Sequence, residues 1–240
     1  MIPSYFTDAI TLFRGKVKLL ILDDDASLCK SLRAIFASPL FNISTATSLD
    51  QANWIIGKPN NQWHCWIVDV DLGGGQNGLD IFKQRPKFPF AIVLSGLRSM
   101  GISSDAMKLG ARIVLDKTPD SFDKLYDEVC KNAALGYVLS GKSTPQINTF
   151  LLLQDPGITT VEEWASKACM PLRHLQRICQ LHRSLTPRYA LALYRTLYYL
   201  LWNIPGVATD KQLSVALGPD PLQRELYETS IEYIIRKAGK

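Results

Sequence analysis

The sequence predicts an α/β fold, a five-stranded doubly wound parallel sheet, followed by a separate all-α unit. Three observations predict it. Short apolar runs alternate with amphipathic stretches from residue 17 to 135, the pattern of strands alternating with helices. The runs are nearly continuous rather than alternating, as expected of strands buried on both faces. From Ile158 onward helical periodicity continues with no return of strand-like alternation.

The strands come in order as Val17–Leu22 (VKLLIL), Ile43–Thr47, His64–Val68 (HCWIV), Phe90–Leu94 (FAIVL) and Ile113–Leu115. Ala26–Phe36 carries leucines at helical spacing, with Asp25 placed to cap it. Ser48 opens a second helix, and Ser121–Ala134 closes the series. Residues 16–135 thus form one domain of ordinary size. Residues 1–15 form a leader, in which Tyr5, Phe6, Ile10, Leu12 and Phe13 can pack as a short helix. Residues 136–156 read as a linker around the apolar patch Phe150–Leu153. Residues 157–205 form the helical domain and 206–240 a helical extension.

Composition narrows the class. The chain has 240 residues, 47% hydrophobic and 20% charged, which fits a globular protein with a sizeable core. Its apolar runs fall short of the roughly 20 residues a membrane span requires. The N-terminus lacks the features of a signal peptide, so a cytoplasmic protein with no membrane partner is expected. The five cysteines are scattered without a CxxC pair and read as buried thiols. The net charge of +5 is mild, but no acidic residue lies between Glu163 and Asp210, where Lys167, Arg173, Arg177, Arg183, Arg188 and Arg195 all fall. Such a block suits a polyanion or a solvated helix face.

The polar residues of the first half sit at strand C-terminal ends. Asp23 and Asp24 follow the first strand, Asp69 the third, Ser95 the fourth and Lys117 the fifth. In an open parallel sheet these ends line one crevice. Converging carboxylates tolerate one another around a divalent cation, and oxygen-only ligands suit Mg²⁺. The cation, an ammonium and a hydroxyl can together hold a phosphoryl group that Asp69 attacks. Ser95 and Lys117 are expected to be exposed in this pocket, so their removal should change stability little.

The segments LLILDDD, WIVDVDLGGGQNGLDIF, AIVLSG, AMKLGA and VLDKTPDSFDKL resemble the receiver domain of two-component response regulators, over nearly the whole of this half. The resemblance implies a flavodoxin-like fold and phosphorylation of Asp69 by a sensor histidine kinase. It implies a Mg²⁺ site made by the side chains of Asp24 and Asp69, the backbone carbonyl of Asp71, and Asp23 through water. Ser95 would take up the phosphoryl signal, Lys117 would pair with a phosphoryl oxygen, and Gly78 matches a family glycine. The chain departs from the pattern at Gly73, where the family has proline, at Val114, where it has an aromatic switch residue, and at Thr118. The Gly73-Gly74-Gly75 run should loosen its loop.

In the second half Thr160 and Glu163 form a capping-box signature, with Val161, Trp164 and Ala165 facing inward. Leu172, Leu175, Ile178 and Cys179 make an apolar stripe opposite Arg173, Gln176, Arg177 and Gln180. The stretch ITTVEEWASKACMPLRHLQRICQLHRSLTPRYALALYR resembles the first helix-turn-helix of AraC-type transcription factors. Cys169 stands where that family has a turn glycine. The resemblance implies double-stranded DNA as partner, with Arg173, Gln176 and Arg177 at base edges, His174 and Gln180 beside them, and Arg183 and Arg188 at phosphates. One motif reads one half-site, so a homodimer is expected. Lys211–Gly218 resembles the start of a second motif, and the remainder of the extension reads as a degenerate remnant or a dimerisation helix. The expected function is transcriptional control without turnover of an external substrate. Two alternatives stand: a haloacid-dehalogenase-type phosphatase using Asp69 and Asp71, and a dimeric regulator independent of phosphorylation.

Overall fold

The structure, a computed structural model, describes residues 4–59, 62–86, 88–96, 100–142, 144–182, 184–203 and 221–239. Five strands, β1 (Val17–Leu22), β2 (Phe41–Ala46), β3 (Cys65–Asp69), β4 (Ala91–Ser95) and β5 (Ile113–Asp116), form one sheet. All pair in parallel in the order β2-β1-β3-β4-β5. This is the flavodoxin-like, doubly wound order, whose reversal beside β1 opens a crevice at the strand C-termini. The register aligns the working ends: Leu22 faces both Ala46 and Val68, Asp69 faces Leu94, and Ser95 faces Asp116.

The strands read as apolar runs because both faces are covered. Leu19, Leu20, Ile21 and Leu22 are all fully buried, each contributing about 1.5–3 kcal/mol over an exposed position. Helices α2 (Ala26–Ile35), α3 (Leu49–Ile56), α4 (Met100–Leu109) and α5 (Ser121–Val138) connect and cover them. Asp25 caps α2 by accepting from the N–H groups of Ser27 and Leu28, and Ser48 caps α3 through Gln51 N–H. The crossover after β3 differs. It is a 3-10 helix, Gly78–Lys83, capped by Asn77, because the preceding residues are spent on a closed turn.

The rest of the described chain is helical: α6 (Ile147–Leu151), a 3-10 turn (Leu152–Gln154), α7 (Val161–Lys167), α8 (Leu172–Leu181), α9 (Pro187–Asn203) and a final described helix, Pro221–Ala238. The capping box forms as the sequence predicts, Thr160 accepting from Glu163 N–H and Glu163 accepting from Thr160 N–H. Trp164 and Ala165 are buried and Val161 is half-buried. Pro171 is the N-cap of α8. The proposed second motif at 211–218 lies outside the described residues.

The helical part packs against the sheet-bearing part. Helix α9 lies on α5, where Tyr126 Oη donates to Leu201 O (2.9 Å) and Tyr198 Oη donates to Asp127 Oδ1 (2.9 Å). The leader helix α1 (Ser4–Phe13) touches both parts. Phe6 meets the Tyr199 ring edge-on at 5.8 Å, and Phe13 meets Tyr137 of α5 at the same spacing. Helix α5 runs three residues beyond position 135, so the stretch from there begins as helix. Cys29, Cys65, Cys130 and Cys179 are buried as expected, but Cys169 is exposed in the α7–α8 turn.

Candidate functional site

The sheet brings Asp23, Asp24 and Asp69 together, with ligand oxygens all within 4.8 Å of one another. Asp23 follows β1 and Asp69 ends β3, adjacent central strands. Lys117, one residue past β5, reaches back across the β4 end. Its Nζ lies 2.7 Å from Asp23 Oδ2 and 2.8 Å from Asp69 Oδ2. Asp23 is further held by Asp25 N–H on Oδ1 (3.0 Å). Asp24 is exposed at the mouth, and Ser95 closes the β4 side, its carbonyl accepting Lys117 N–H at 2.9 Å.

Burial sets the electrostatics. The side chains of Asp23 and Asp69 are 2% and 5% exposed, and that of Lys117 22%. Burial pushes the Asp69 carboxyl above the usual carboxylate range; Lys117 opposes this and the charge of Asp23 adds to it. For Lys117 burial disfavours the ammonium, but the two carboxylates outweigh it and hold its pKa above that of free lysine. Ser95 is also buried. The expectation that Ser95 and Lys117 are exposed is therefore corrected, because the strand ends sink both groups below the loops. The nearby Cys29 thiol donates to Asp23 O (3.4 Å) and is pushed up to about 11 by burial, so it is a poor nucleophile.

The loop after β3 explains four glycines. A Cβ on Gly78 would lie 1.8 Å from Asp69 O, so this position admits no side chain while Gly78 N–H bonds Val70 O at 2.8 Å. Gly73, Gly74 and Gly75 all have left-handed φ (+69°, +57°, +80°). The run was expected to loosen the loop. It instead forms a turn closed by Gln76 N–H on Gly73 O and Leu72 N–H on Gln76 O. Glycine takes this path without strain, since non-glycine residues resist positive φ. A Cβ on Gly73 would also meet Asp24 Oδ2 at 2.9 Å. The sequence flagged the glycines but not this approach to the acidic cluster. Asp71 is exposed, and its Oδ1 accepts Gly73 N–H at 3.1 Å. Val114 is half-buried in β5.

A second candidate surface lies on α8. Leu175, Ile178 and Cys179 face the core, and Arg173, His174, Gln176, Arg177 and Gln180 are all exposed on the other side. With Pro171 they line one shallow surface depression. Arg188 is apart from them on α9, its guanidinium 4.9 Å above the Tyr233 ring. Arg183 lies outside the described residues. Cys169 in the turn takes φ +51°, the left-handed conformation a glycine would adopt freely.

No family model matches the sequence, and no curated protein matches it. Solved structures do. A Francisella response regulator receiver domain shares 23% identity, covering 50% of this chain and 95% of that one, with a TM-score of 0.41. A response regulator receiver domain protein from Clostridium thermocellum shares 25%, covering 49% and 93%, at 0.43. A Burkholderia pseudomallei response regulator with a phosphorylated aspartic acid, a calcium ion and citrate shares 20%, covering 67% and 96%, at 0.41. No described helix is long and apolar enough to cross a membrane.

Proposed function

We propose that the chain is a phosphorylation-controlled, DNA-binding response regulator of a two-component system. The observation that carries this reading is the Lys117 ammonium lodged between the Asp23 and Asp69 carboxylates, in a cluster that includes Asp24. In the proposed reaction an Asp69 carboxylate oxygen attacks the phosphorus of a phosphohistidine on a sensor histidine kinase. The O–P bond forms as the P–N bond breaks, and the imidazole leaves with the electron pair. Lys117 exchanges part of its carboxylate pairing for a phosphoryl oxygen, and the Ser95 hydroxyl takes another.

The donor set is hard oxygen throughout, which fits Mg²⁺. The Asp24 and Asp69 side chains and the Asp71 carbonyl would hold it, with Asp23 acting through water. When bound, it supplies neutralisation of the transferring phosphoryl oxygens. The phosphatase alternative places its paired aspartates after the first strand, whereas Asp69 and Asp71 follow β3 and a separate acidic pair follows β1; we read the protein as accepting one phosphoryl group without turnover.

The output in this reading is α8 in a DNA major groove. Arg173, Gln176 and Arg177 would meet base edges, flanked by His174 and Gln180, while Arg183 and Arg188 contact phosphates. Two copies would bind paired half-sites in the cytoplasm. The test has two arms. Acetyl phosphate with Mg²⁺ should add one phosphoryl mass to the intact chain and none to Asp69→Asn; equal labelling of both refutes the assignment. DNA selected from random sequence should lose about 1–3 kcal/mol of binding with Arg173→Ala, Gln176→Ala or Arg177→Ala, and Arg188→Ala should weaken all sequences alike and reduce the salt slope by about one ion. DNA binding unaffected by phosphorylation would instead support the phosphorylation-independent regulator.

A further inference from the structure

An open groove of about 510 Å³ lies where α7, α8 and α9 meet the final described helix. That size lies within the range of small-molecule sites. Its wall is partly apolar, with Leu172, Leu191, Ala192 and Leu226, and two guanidinium groups enter the lining, Arg188 and Arg195. Arg195 is half-buried on α9, one face of which also carries Arg188, Leu191 and Ala192, and it donates to a neutral acceptor, Ile158 O, at 2.5 Å. Neither arginine is in an ion pair among the described residues.

Arg195 and Leu226 also line a second space of about 180 Å³, beside Gln154, Tyr194 and Tyr227. Within the described residues the buried amide nitrogen of Gln154 has no hydrogen-bond partner. A buried donor left unmade is costly, and a half-buried cation is favoured by an anion beside it. Arg195, which donates to Ile158 O and feels the charge of Glu163, and Gln154, whose amide nitrogen is unused, line the same space and can both donate to an anion placed there. Of the carboxylates in the two linings, Glu162 is exposed and Asp155 is paired with Lys167.

We infer that the groove and the adjoining space bind a small organic carboxylate with an apolar body, its carboxylate on Arg195 and its body against Leu191 and Leu226. The planar guanidinium fork matches a carboxylate in two parallel bonds. Gln176 lines this groove and also stands on the exposed face of α8, so an occupant touches that helix from behind. The site stands whether or not α8 binds DNA.

The experiment is calorimetric titration of the full chain with octanoate and 4-phenylbutyrate, and with the neutral 4-phenylbutanamide. The acids should saturate one site with a Kd of about a millimolar or tighter, and the amide should bind at least about tenfold more weakly, a difference of about 1.4 kcal/mol. Arg195→Lys should weaken the acids about tenfold. Thr229→Trp, at an exposed position of the lining, should block binding while thermal unfolding stays as in the wild type. Failure of both acids to saturate, equal binding of the amide, or unchanged binding in folded Thr229→Trp overturns the inference.

Discussion

Replacing Lys117 by Met tests the electrostatics of the acidic cluster directly. The change removes the ammonium from between two buried carboxylates and keeps most of the side-chain volume. With Asp23 and Asp69 oxygens within 4.8 Å, their repulsion at an effective dielectric of about 20 is about 3.5 kcal/mol. The folded protein can escape it by protonating Asp69, already displaced upward by burial. Doing so at pH 7 costs about 4 kcal/mol from an unfolded pKa near 3.9. Either route gives a loss of about 3–4 kcal/mol, within the range for breaking a buried pair. The sign with pH follows. Asp69 would have a folded pKa raised above its unfolded value, so acidification restores stability between those two values, about 1.4 kcal/mol per pH unit. At pH 5 the deficit should fall to about 1.5 kcal/mol. Urea unfolding followed by the fluorescence of buried Trp63 and Trp66 measures it at both pH values, and Mg²⁺ should recover more stability in the variant than in the wild type. A deficit below about 1 kcal/mol at pH 7, or one that does not change with pH, would falsify this reasoning.

Gly78→Ala should cost about 3 kcal/mol or more, since its Cβ meets Asp69 O at 1.8 Å; a wild-type melting temperature would show that the loop yields freely. Cys169→Gly should stabilise by about 0.5–1 kcal/mol, because relief of the φ +51° conformation outweighs the added freedom of the unfolded chain; chemical denaturation reads it, and destabilisation argues against the turn geometry. The Glu163 carboxyl is lowered to about 2 by the Thr159 hydroxyl and the Thr159 and Thr160 N–H groups. Its contribution is present above the unfolded value near 4.3 and lost as pH falls through about 2. An NMR titration of its side chain should therefore show no midpoint near pH 4, and Glu163→Gln should flatten the acid dependence of α7 stability over that window.

The sheet and its acidic cluster were readable because their cause is local in the chain. A strand covered on both faces must be apolar along its length, so VKLLIL and FAIVL announce β1 and β4, and the polar residue that ends each run marks the crevice. Asp23, Asp69 and Lys117 therefore meet where strand order says they should. What escaped the sequence depends on partners far away in it. The Gly73–Gly75 run takes its shape from bonds to Leu72 and Gln76 and from the nearness of Asp24. The depth of Ser95 and Lys117 depends on how the loops close over the strand ends. Arg195 reads as an interruption of an apolar helix, and its half-buried place between the groove and the space beside it follows only from the packing of the final helix. The leader is ambiguous for the same reason: Phe6 and Phe13 are apolar whichever surface they cover.

Helix α5 gives the molecule an unusual mechanical continuity. Its inner face belongs to the sheet, and its outer face carries Tyr126 and Asp127, each hydrogen-bonded to α9. The buried side chains of both parts form a single cluster, from Leu20 through Val129 to Leu197. An excised fragment ending at 135 would cut α5 within its last turn and uncover that outer face. The intact chain should then melt in one cooperative transition, and the sheet half on its own should aggregate, because the surface that looks like its boundary is half-buried beneath α9.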